Sequence, residues 1–251
     1  MMNLNTLEGK KILVTGAASG IGKETSIYLA EYGASIVGLD INIVGLKELE
    51  SELTEKNLLF HGVEADLQDD NLENVFDAVL FDGKKLTGLV HCAGISSVVP
   101  LKSLSRKRLH AVMEINFYSF IELSRLYSKK KYSEGGSIIG ISSLAAQMPR
   151  AYELPYIASK AAMNAAIPCL AIELSKLGIR VNGIMPGVVD TSMISVQQSD
   201  EQKQFVENMI KKTLLGAADP RDIASVIYFL LSDQSRMITG RVIPVDGGMF
   251  L

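Results

Sequence analysis

Short apolar runs of strand length alternate along this chain with longer segments in which apolar residues recur at helical spacing. This alternation is typical of a parallel sheet that is covered by helices on both faces. Several short runs, such as 12–14 and 138–139, are continuously apolar, as expected for strands buried on both faces. We predict strands at Lys11–Val14, Ser35–Leu39, Leu58–Val63, Leu86–His91, Ser137–Ile141, Arg180–Ile184 and Val242–Val245. We predict helices at Ile21–Tyr32, Val44–Lys56, Asn71–Phe81, Arg106–Lys131, Pro155–Leu177 and Pro220–Leu231.

The size and composition of the chain predict one compact domain that spans residues 1–251. No shift in composition and no Pro/Gly/Ser-rich stretch marks a linker. The net charge of −3 makes nucleic acid and anionic membranes poor candidates for the main partner. No apolar run approaches the ~18–20 residues of a membrane span, so we expect a cytoplasmic protein. Cys92 and Cys169 lie in apolar stretches without metal-binding spacing, so we expect two buried thiols and no metal site.

A glycine-rich turn follows the first predicted strand and opens the first predicted helix. It contains Gly16, Gly20 and Gly22, with Ser19 and Ile21 among them. Such a turn lets the main chain approach a pyrophosphate, and the helix presents its positive N-terminal end to that charge. The spacing does not match a P-loop. The turn therefore predicts a dinucleotide site, and the alternative is a tight turn needed only for packing.

Asp40 ends the second predicted strand, 18 residues beyond Gly22 in the sequence. A carboxylate about 20 residues beyond such glycines accepts hydrogen bonds from ribose hydroxyls. Because it would repel a 2′-phosphate, Asp40 predicts NAD(H) in preference to NADP(H). The alternative is an ordinary Asp that caps the next turn. After the third strand, Asp66 and Leu67 are placed to meet the adenine, although Asp66 is an equally good candidate for a helix cap.

Tyr156 and Lys160 lie four residues apart in the fifth predicted helix, so the phenol and the ammonium share one face. A nearby cation lowers the pKa of a tyrosine toward working pH, as general acid/base catalysis requires. Tyr127 and Lys131 have the same spacing. Tyr156, unlike Tyr127, follows a strand that ends in the serine pair 142–143. We therefore expect Tyr156 to be catalytic and Tyr127 to be a surface or interface residue.

Taken in this order, the motifs resemble those of the short-chain dehydrogenase/reductase family, and the resemblance covers nearly the whole chain. It implies an α/β fold, a Rossmann-type doubly wound sandwich with a seven-stranded parallel sheet. It also implies a nicotinamide cofactor and a catalytic tetrad. The tetrad positions are Asn116, Ser143, Tyr156 and Lys160. The positions expected to bind the cofactor are Gly16, Ser19, Gly20, Ile21, Gly22, Asp40, Asp66, Leu67, Cys92, Ala93, Gly94, Tyr156, Lys160, Pro186, Gly187, Val189 and Thr191.

The resemblance assigns a role to each tetrad residue. Tyr156 would give a proton to the carbonyl oxygen in reduction and take it back in oxidation, while Ser143 would fix that oxygen by a hydrogen bond. Lys160 would hold the nicotinamide ribose and lower the pKa of Tyr156. Asn116, at a helix distortion in the family, would anchor a water that relays protons to Lys160. The chain departs from the family at Cys92, which replaces an asparagine that mainly stiffens the central sheet.

These observations predict an NAD(H)-dependent oxidoreductase that interconverts a secondary alcohol and a ketone. One alternative is an enzyme like the 3-oxoacyl-carrier-protein reductases, which usually use NADPH. The charge of Asp40 and the mildly negative net charge of the chain argue against it. Another alternative is a dinucleotide-sensing protein that has kept the fold without turnover, which the complete tetrad argues against.

The segment 187–218 exceeds the usual length of a connection, so we predict a substrate-binding lid there. Arg150 lies between Ser143 and Tyr156 and is a candidate for binding a substrate carboxylate, although a surface arginine is the simpler interpretation. The apolar residues expected to line the substrate pocket and lid are Leu144, Met148, Leu154, Val188, Met193, Ile194, Val196, Phe205 and Met209.

Two long helices carry apolar residues on more than one face, which indicates burial against another subunit. The resemblance implies a homotetramer, which would cover these faces together with the apolar C-terminal residues 249–251. The residues concerned are Leu109, Val112, Met113, Phe117, Phe120, Ile121, Ala162, Ala166, Leu170 and Ile172.

Overall fold

The computed structural model describes residues 6–69, 71–191 and 200–249, and among residues 200–205 it describes the side chain of residue 204 alone. Its strands are β1 (Lys11–Thr15), β2 (Ser35–Asp40), β3 (Phe60–Glu64), β4 (Leu86–His91), β5 (Ser133–Ile141), β6 (Ile179–Pro186) and β7 (Val242–Val245). Its α-helices are α1 (Gly20–Glu31), α2 (Ile43–Glu55), α3 (Leu72–Val79), α4 (Arg106–Met113), α5 (Ser119–Tyr127), α6 (Leu154–Leu174), α7 (Asp200–Lys212) and α8 (Pro220–Leu231).

The seven strands form one parallel sheet in the order β3-β2-β1-β4-β5-β6-β7. The order reverses between β1 and β4, which opens a crevice at the carboxyl ends of these two strands. Helices α1, α2 and α8 pack on one face of the sheet and α3 to α6 on the other. The predicted Rossmann-type fold with seven parallel strands is therefore confirmed.

Strand β5 begins at Ser133, four residues before the predicted start. The sequence did not indicate these four residues because they are not apolar. Ser133 pairs with Leu86 of β4 across a register shift, and Gly135 and Gly136 have φ angles of +126° and +117°. A Cβ on Gly136 would lie 2.1 Å from the Thr87 carbonyl oxygen. Main-chain pairing with β4 therefore extends the strand into residues that have no apolar side chains to predict it.

The long helix predicted over 106–131 is interrupted. A π-helical turn at Glu114–Tyr118 separates α4 from α5, and α5 ends at Tyr127. A π turn inserts one residue into the helix, and such insertions are frequent at functional sites. Asn116 lies fully buried in this turn. The interruption therefore occurs at the position for which the family resemblance implies a helix distortion.

Two expectations about single side chains are wrong. Tyr127 is not at the surface: it is fully buried, and its hydroxyl donates a hydrogen bond to the Gly135 carbonyl at 2.8 Å, because α5 packs over the start of β5. Cys169 is exposed, since its apolar stretch is a helix with one face turned away from the sheet. Cys92 is half-buried at the end of β4.

Helix α6 also corrects the expectation that no segment is long and apolar enough to cross a membrane. Within the described residues, Leu154–Leu177 meets that condition by length and composition. In this fold the segment packs on β6, with Met163 and Ile167 in the core. One side of the segment therefore packs in the core, while Cys169 and Ile172 on it are exposed in the single chain.

Candidate active site

The glycine-rich turn lies at the carboxyl end of β1, next to the end of β4. Gly16 has a φ of +68°, and a Cβ there would lie 2.9 Å from the Ala93 nitrogen, so a side chain does not fit. A Cβ on Gly22 would lie 2.1 Å from the Gly16 carbonyl oxygen. Helix α1 begins at Gly20, and within the described part of the chain the Ser19 side chain makes no capping hydrogen bond to it. The turn presents main-chain N–H groups and a helix N-terminus to the crevice, as a pyrophosphate requires.

Asp40 supports this turn from the end of β2. Its Oδ2 accepts a hydrogen bond from the Ala18 N–H at 3.0 Å, and its Oδ1 accepts one from the Asn42 N–H at 2.9 Å. Each carboxylate oxygen keeps a further lone pair for a second donor. The two interpretations of Asp40, a turn cap and a ribose ligand, are therefore compatible with each other.

Asp66, which follows β3, caps the turn that comes after this strand. Asp66 is exposed, and its Oδ1 accepts a hydrogen bond from the Gln68 N–H at 2.9 Å. The Leu67 side chain is buried in the core under this turn. The capping interpretation of Asp66 thus has a direct contact, and a role of Asp66 and Leu67 toward adenine stays a prediction.

Tyr156 lies in the first turn of α6, and Ser143 follows β5. The Ser143 hydroxyl accepts a hydrogen bond from the Ala145 N–H at 3.1 Å. Burial raises the pKa of Tyr156, the Ser143 hydroxyl and the Arg150 guanidinium lower it, and Glu153 raises it, with burial prevailing. At neutral pH the phenol is therefore protonated and able to donate.

Lys160 is buried one turn further along α6. Its Nζ donates a hydrogen bond to the Ile141 carbonyl at 2.7 Å and lies 5.8 Å from the centre of the Tyr156 ring. Burial lowers the pKa of Lys160 to about 8. The Arg150 guanidinium lowers the pKa of Tyr156. The Lys160 ammonium turns toward the end of β5, and the lowering of the Tyr156 pKa by Lys160 that the resemblance implies stays a prediction.

Asn116 fixes the main chain beyond β4. Its Oδ1 accepts a hydrogen bond from the Ile95 N–H at 2.8 Å, and its Nδ2 donates to the Ile95 carbonyl at 3.0 Å and to the Ser159 hydroxyl at 2.9 Å. A Cβ on Gly94 would lie 3.4 Å from both the Asn116 Oδ1 and the Lys160 Nζ. Asn116 and Lys160 therefore converge on the same short segment of main chain.

The end of β4 is stiffened although Cys92 replaces the family's asparagine. The Thr15 hydroxyl is hydrogen-bonded to His91 Nδ1 at 3.0 Å and accepts a hydrogen bond from the Ala93 N–H at 3.1 Å. Burial lowers the pKa of His91 to about 3 and raises the pKa of Cys92 to about 12. Both side chains are therefore neutral at working pH, and Thr15 supplies a link between β1 and β4.

A cavity of about 470 Å³ opens at this edge of the sheet and brings Ser143, Tyr156 and Lys160 onto one wall. The predicted cofactor residues on its wall are Ile21, Cys92, Gly94, Pro186, Gly187, Val189 and Thr191. Its apolar lining includes Leu144, Met148, Val188, Val206, Met209 and Met249. Leu154, expected in this pocket, is exposed and lies outside the lining because it precedes the first inward-facing turn of α6. Met193, Ile194 and Val196 and the side chain of Phe205 fall outside the described residues.

Main-chain hydrogen bonds join the two ends of the predicted lid segment. Val189 and Ala218 form a parallel bridge, in which the Asp190 N–H donates to the Ala218 carbonyl at 3.0 Å and the Ala218 N–H donates to the Val188 carbonyl at 2.9 Å. The Leu215 N–H donates to the Gly247 carbonyl at 3.0 Å, so the C-terminal segment also holds one of these ends. Helix α7, within the segment, contributes side chains to the cavity wall.

Arg150 and Glu153 are the residues whose position the sequence did not indicate. Both line the cavity, whereas a surface position was the simpler expectation for Arg150. Arg150 Nη2 lies 2.9 Å from Glu153 Oε2, and its Nη1 donates to the Met209 sulfur at 3.5 Å. Both residues precede the first residue of α6, so no helical spacing predicts the pair, and the signal in the sequence is limited to two opposite charges three residues apart.

The residues at this edge fit a nicotinamide dinucleotide. At Gly16 and Gly22 main chain packs against main chain without room for a Cβ, helix α1 begins at Gly20, a carboxylate stands at the end of β2, and a buried ammonium stands beside Tyr156. Along the sheet edge, Asp40 follows β2, the glycine-rich turn follows β1 and Ser143 follows β5. This is the order of the ribose, the pyrophosphate and the nicotinamide in such a cofactor.

The chain is similar to proteins of known activity over nearly its full length. A family model described as enoyl-(acyl carrier protein) reductase matches residues 16–250. The chain is 33% identical over 243 residues to an L-xylulose reductase of Caenorhabditis elegans, covering 95% of each protein. It is 31% identical over 248 residues to a 3-oxoacyl-[acyl-carrier-protein] reductase of Thermotoga maritima, covering 98% of this chain and 99% of that protein.

Among solved structures, the chain is similar to a 7alpha-hydroxysteroid dehydrogenase in complex with NADH and 7-oxo glycochenodeoxycholic acid. The TM-score is 0.91 at 31% sequence identity, and the match covers 99% of this chain and 98% of the other. The named relatives are dehydrogenases and reductases that act on alcohols and ketones. The motifs, the sheet order and these similarities agree, and this chain belongs to the short-chain dehydrogenase/reductase family of oxidoreductases.

Proposed function

We propose that this protein interconverts a secondary alcohol and a ketone with NAD(H), and that Tyr156 is the general acid and base. One observation carries this proposal: the Ser143 hydroxyl, the Tyr156 phenol and the Lys160 ammonium share the wall of one cavity beside the glycine-rich turn. When bound, the nicotinamide accepts the hydride from the carbinol carbon in oxidation and supplies it in reduction.

The protein's own residues move and hold the proton. In reduction the Tyr156 phenol gives its proton to the carbonyl oxygen, and in oxidation the phenolate takes the hydroxyl proton. The Ser143 hydroxyl fixes the position of that oxygen. An ammonium has three donors, so Lys160, which gives one to Ile141, has others for the ribose hydroxyls. Asn116 holds the main chain that faces Lys160 and, by the family resemblance, anchors the relay water.

The preference for NAD(H) rests on Asp40. Its carboxylate would repel the 2′-phosphate of NADP(H) and accept hydrogen bonds from a free ribose hydroxyl. Asp66, Leu67, Val189 and Thr191 are further cofactor contacts within this proposal. Residues 187–218 would act as a substrate-binding lid within one domain of residues 1–251.

A second candidate function is the reduction of a 3-oxoacyl group on a carrier protein with NADPH. The similarity to the Thermotoga maritima reductase favours it, and the charge of Asp40 opposes it. A carrier-bound substrate also needs a basic docking surface, whereas this chain has a net charge of −3.

We further infer a cytoplasmic homotetramer. Ile172 on α6 is 76% exposed, and a group of apolar residues on the segment from α4 to α6 is half-buried in the single chain. Val112 and Phe120, expected among the residues buried against another subunit, instead lie in the core of their own subunit. The half-buried group comprises Leu109, Met113, Phe117, Ile121, Ala162, Ala166 and Leu170. Light scattering should give four times the 27.2 kDa of one chain, and a stable monomer would contradict this inference.

The deciding experiment follows the absorbance of the reduced nicotinamide. Secondary alcohols, ketones and a carrier-bound 3-oxoacyl substrate are each assayed with NAD(H) and with NADP(H). We expect turnover of free alcohols and ketones with NAD(H), and its loss in the Tyr156→Phe variant. Activity on the carrier-bound substrate with NADPH alone would establish the second candidate, and no turnover under any condition would indicate a binding protein.

A further inference from the structure

Arg150 occupies the wall of the substrate end of the cavity. It lies in the loop that joins Ser143 to α6, and its side chain is 26% exposed. The guanidinium is ion-paired with Glu153 at the start of α6 and contacts Met209 of the lid helix α7. It therefore bridges the helix that carries Tyr156 and the segment that covers the cavity.

The charges on this wall favour an anion. Among the described residues that line the cavity, Arg150, Lys160 and Lys212 are basic and Glu153 alone is acidic. Glu153 offsets Arg150, and Lys160 is assigned to the ribose, so among the described lining residues the charge of Lys212 is not offset by a carboxylate. A carboxylate enters a mainly apolar cavity at acceptable cost only when cations meet it there.

The Nη1 edge of the guanidinium contacts an acceptor that is weaker than a carboxylate. The Met209 thioether is a weak acceptor, and it lies 3.5 Å from Arg150 Nη1. A carboxylate oxygen at the same edge of the guanidinium would make a charge-assisted hydrogen bond while Nη2 keeps Glu153. An apolar molecule filling the cavity would instead remove water from the ion pair without replacing its hydrogen bonds.

We propose that the substrate is a ketone or secondary alcohol that carries a carboxylate, and that Arg150, oriented by Glu153, binds this carboxylate while the reacting carbon lies at Ser143 and Tyr156. This inference rests on the proposed function. The carboxylate and Arg150 make and break no covalent bond, so the exchange of one hydride and one proton is the same as for an uncharged substrate.

The activity test uses matched substrates. Oxo-alkanoates with two, three or four carbons between carbonyl and carboxylate are compared with their methyl esters. We expect at least one of the acids to exceed its ester in kcat/KM. Arg150→Met should lower kcat/KM for that acid about 10- to 100-fold, mainly through KM, which is the effect of losing one charge-assisted hydrogen bond. The ester should change less than about threefold, and Arg150→Lys should recover part of the loss.

A binding test separates the anchor from catalysis. The Tyr156→Phe variant with NADH is titrated calorimetrically with 4-oxopentanoate and with its methyl ester, with and without the additional Arg150→Met change. We expect the second change to weaken binding of the acid alone. Arg236→Met, on an exposed turn far from the cavity, is the matched control and should change neither ligand.

The outcomes distinguish the two proposals. Equal activity on acids and esters, or equal losses on both in Arg150→Met, would overturn the anchor and leave the oxidoreductase function standing. Binding of the acid that is unaffected by Arg150→Met would also overturn the anchor. Absence of turnover with every alcohol and ketone would overturn the proposed function itself.

Discussion

The carboxylate of Asp40 accepts a hydrogen bond from the main-chain N–H of Ala18 at 3.0 Å, so the end of β2 holds the glycine-rich turn that ends β1. The residue proposed to choose between dinucleotides is thereby also a support of the turn that binds them. Asparagine removes the charge but keeps only one acceptor oxygen, so it can accept a hydrogen bond from the Ala18 N–H or from the Asn42 N–H but not from both.

Asp40→Asn should bring the affinities for NADH and NADPH closer together, and it should lower the melting temperature because one of the two main-chain hydrogen bonds is lost. Asp40→Ala removes both acceptors and should lower the melting temperature further. The measurements are calorimetric titrations with both dinucleotides and thermal unfolding. Tighter binding of NADPH than NADH by the unmodified protein would show that Asp40 does not meet the ribose.

Tyr156→Phe should reduce turnover by about 10²–10⁴-fold, the usual contribution of a general acid or base, with cofactor affinity nearly unchanged. Tyr127→Phe is the matched control, since Tyr127 shares the spacing to a lysine. It should retain turnover but lose about 1 kcal/mol of unfolding free energy, because its buried hydroxyl donates to Gly135. Equal losses of turnover in both variants would contradict the assignment.

The pH dependence of oxidation should respond in opposite directions to two neighbouring changes. Oxidation needs the Tyr156 phenolate, and the pKa of that phenol is lowered by Arg150 and raised by Glu153. Arg150→Met should therefore move the alkaline rise of kcat/KM to higher pH, and Glu153→Gln should move it to lower pH. An uncharged alcohol is the substrate, so that binding of a carboxylate plays no part.

Among the described residues that line the cavity, the other titratable groups are Lys160, Cys92 and Lys212, and all three stay unchanged in these variants. A shift in the same direction for both variants would indicate a general disturbance of the pocket instead of an electrostatic effect on Tyr156.

Lys160 should make stability depend on pH. Burial lowers its pKa from 10.5 to about 8, so between these values the unfolded chain binds more protons than the folded one. The free energy of unfolding of the unmodified protein should therefore rise, relative to Lys160→Met, as the pH rises from about 8 to 10.5. Urea unfolding at pH 7 and pH 10 measures this difference, with the exposed Lys107→Met as control. If the difference in unfolding free energy between the unmodified protein and Lys160→Met did not change with pH, burial would not lower the pKa of Lys160.

The sequence by itself determined the parts of this protein that depend on local pattern. Continuous apolar runs at 12–14 and 138–139 require burial on both faces, and this fixes a parallel sheet between helices. Glycine is needed at Gly16 and Gly22 because main chain packs against main chain there. The spacing of Tyr156 and Lys160 puts both residues on one helix face. These constraints act within a few residues, so they are visible without the fold.

Tertiary packing decided the rest, because the groups that meet are far apart in sequence. Asn116 lies in a π turn that no local pattern predicts, and it is hydrogen-bonded to Ile95 and Ser159, which are 21 and 43 residues away in the sequence. Tyr127 is buried because β5 begins earlier than its apolar run. Arg150 lines the cavity in contact with Met209 of α7, 59 residues further along the chain, and a one-dimensional pattern does not contain such a contact.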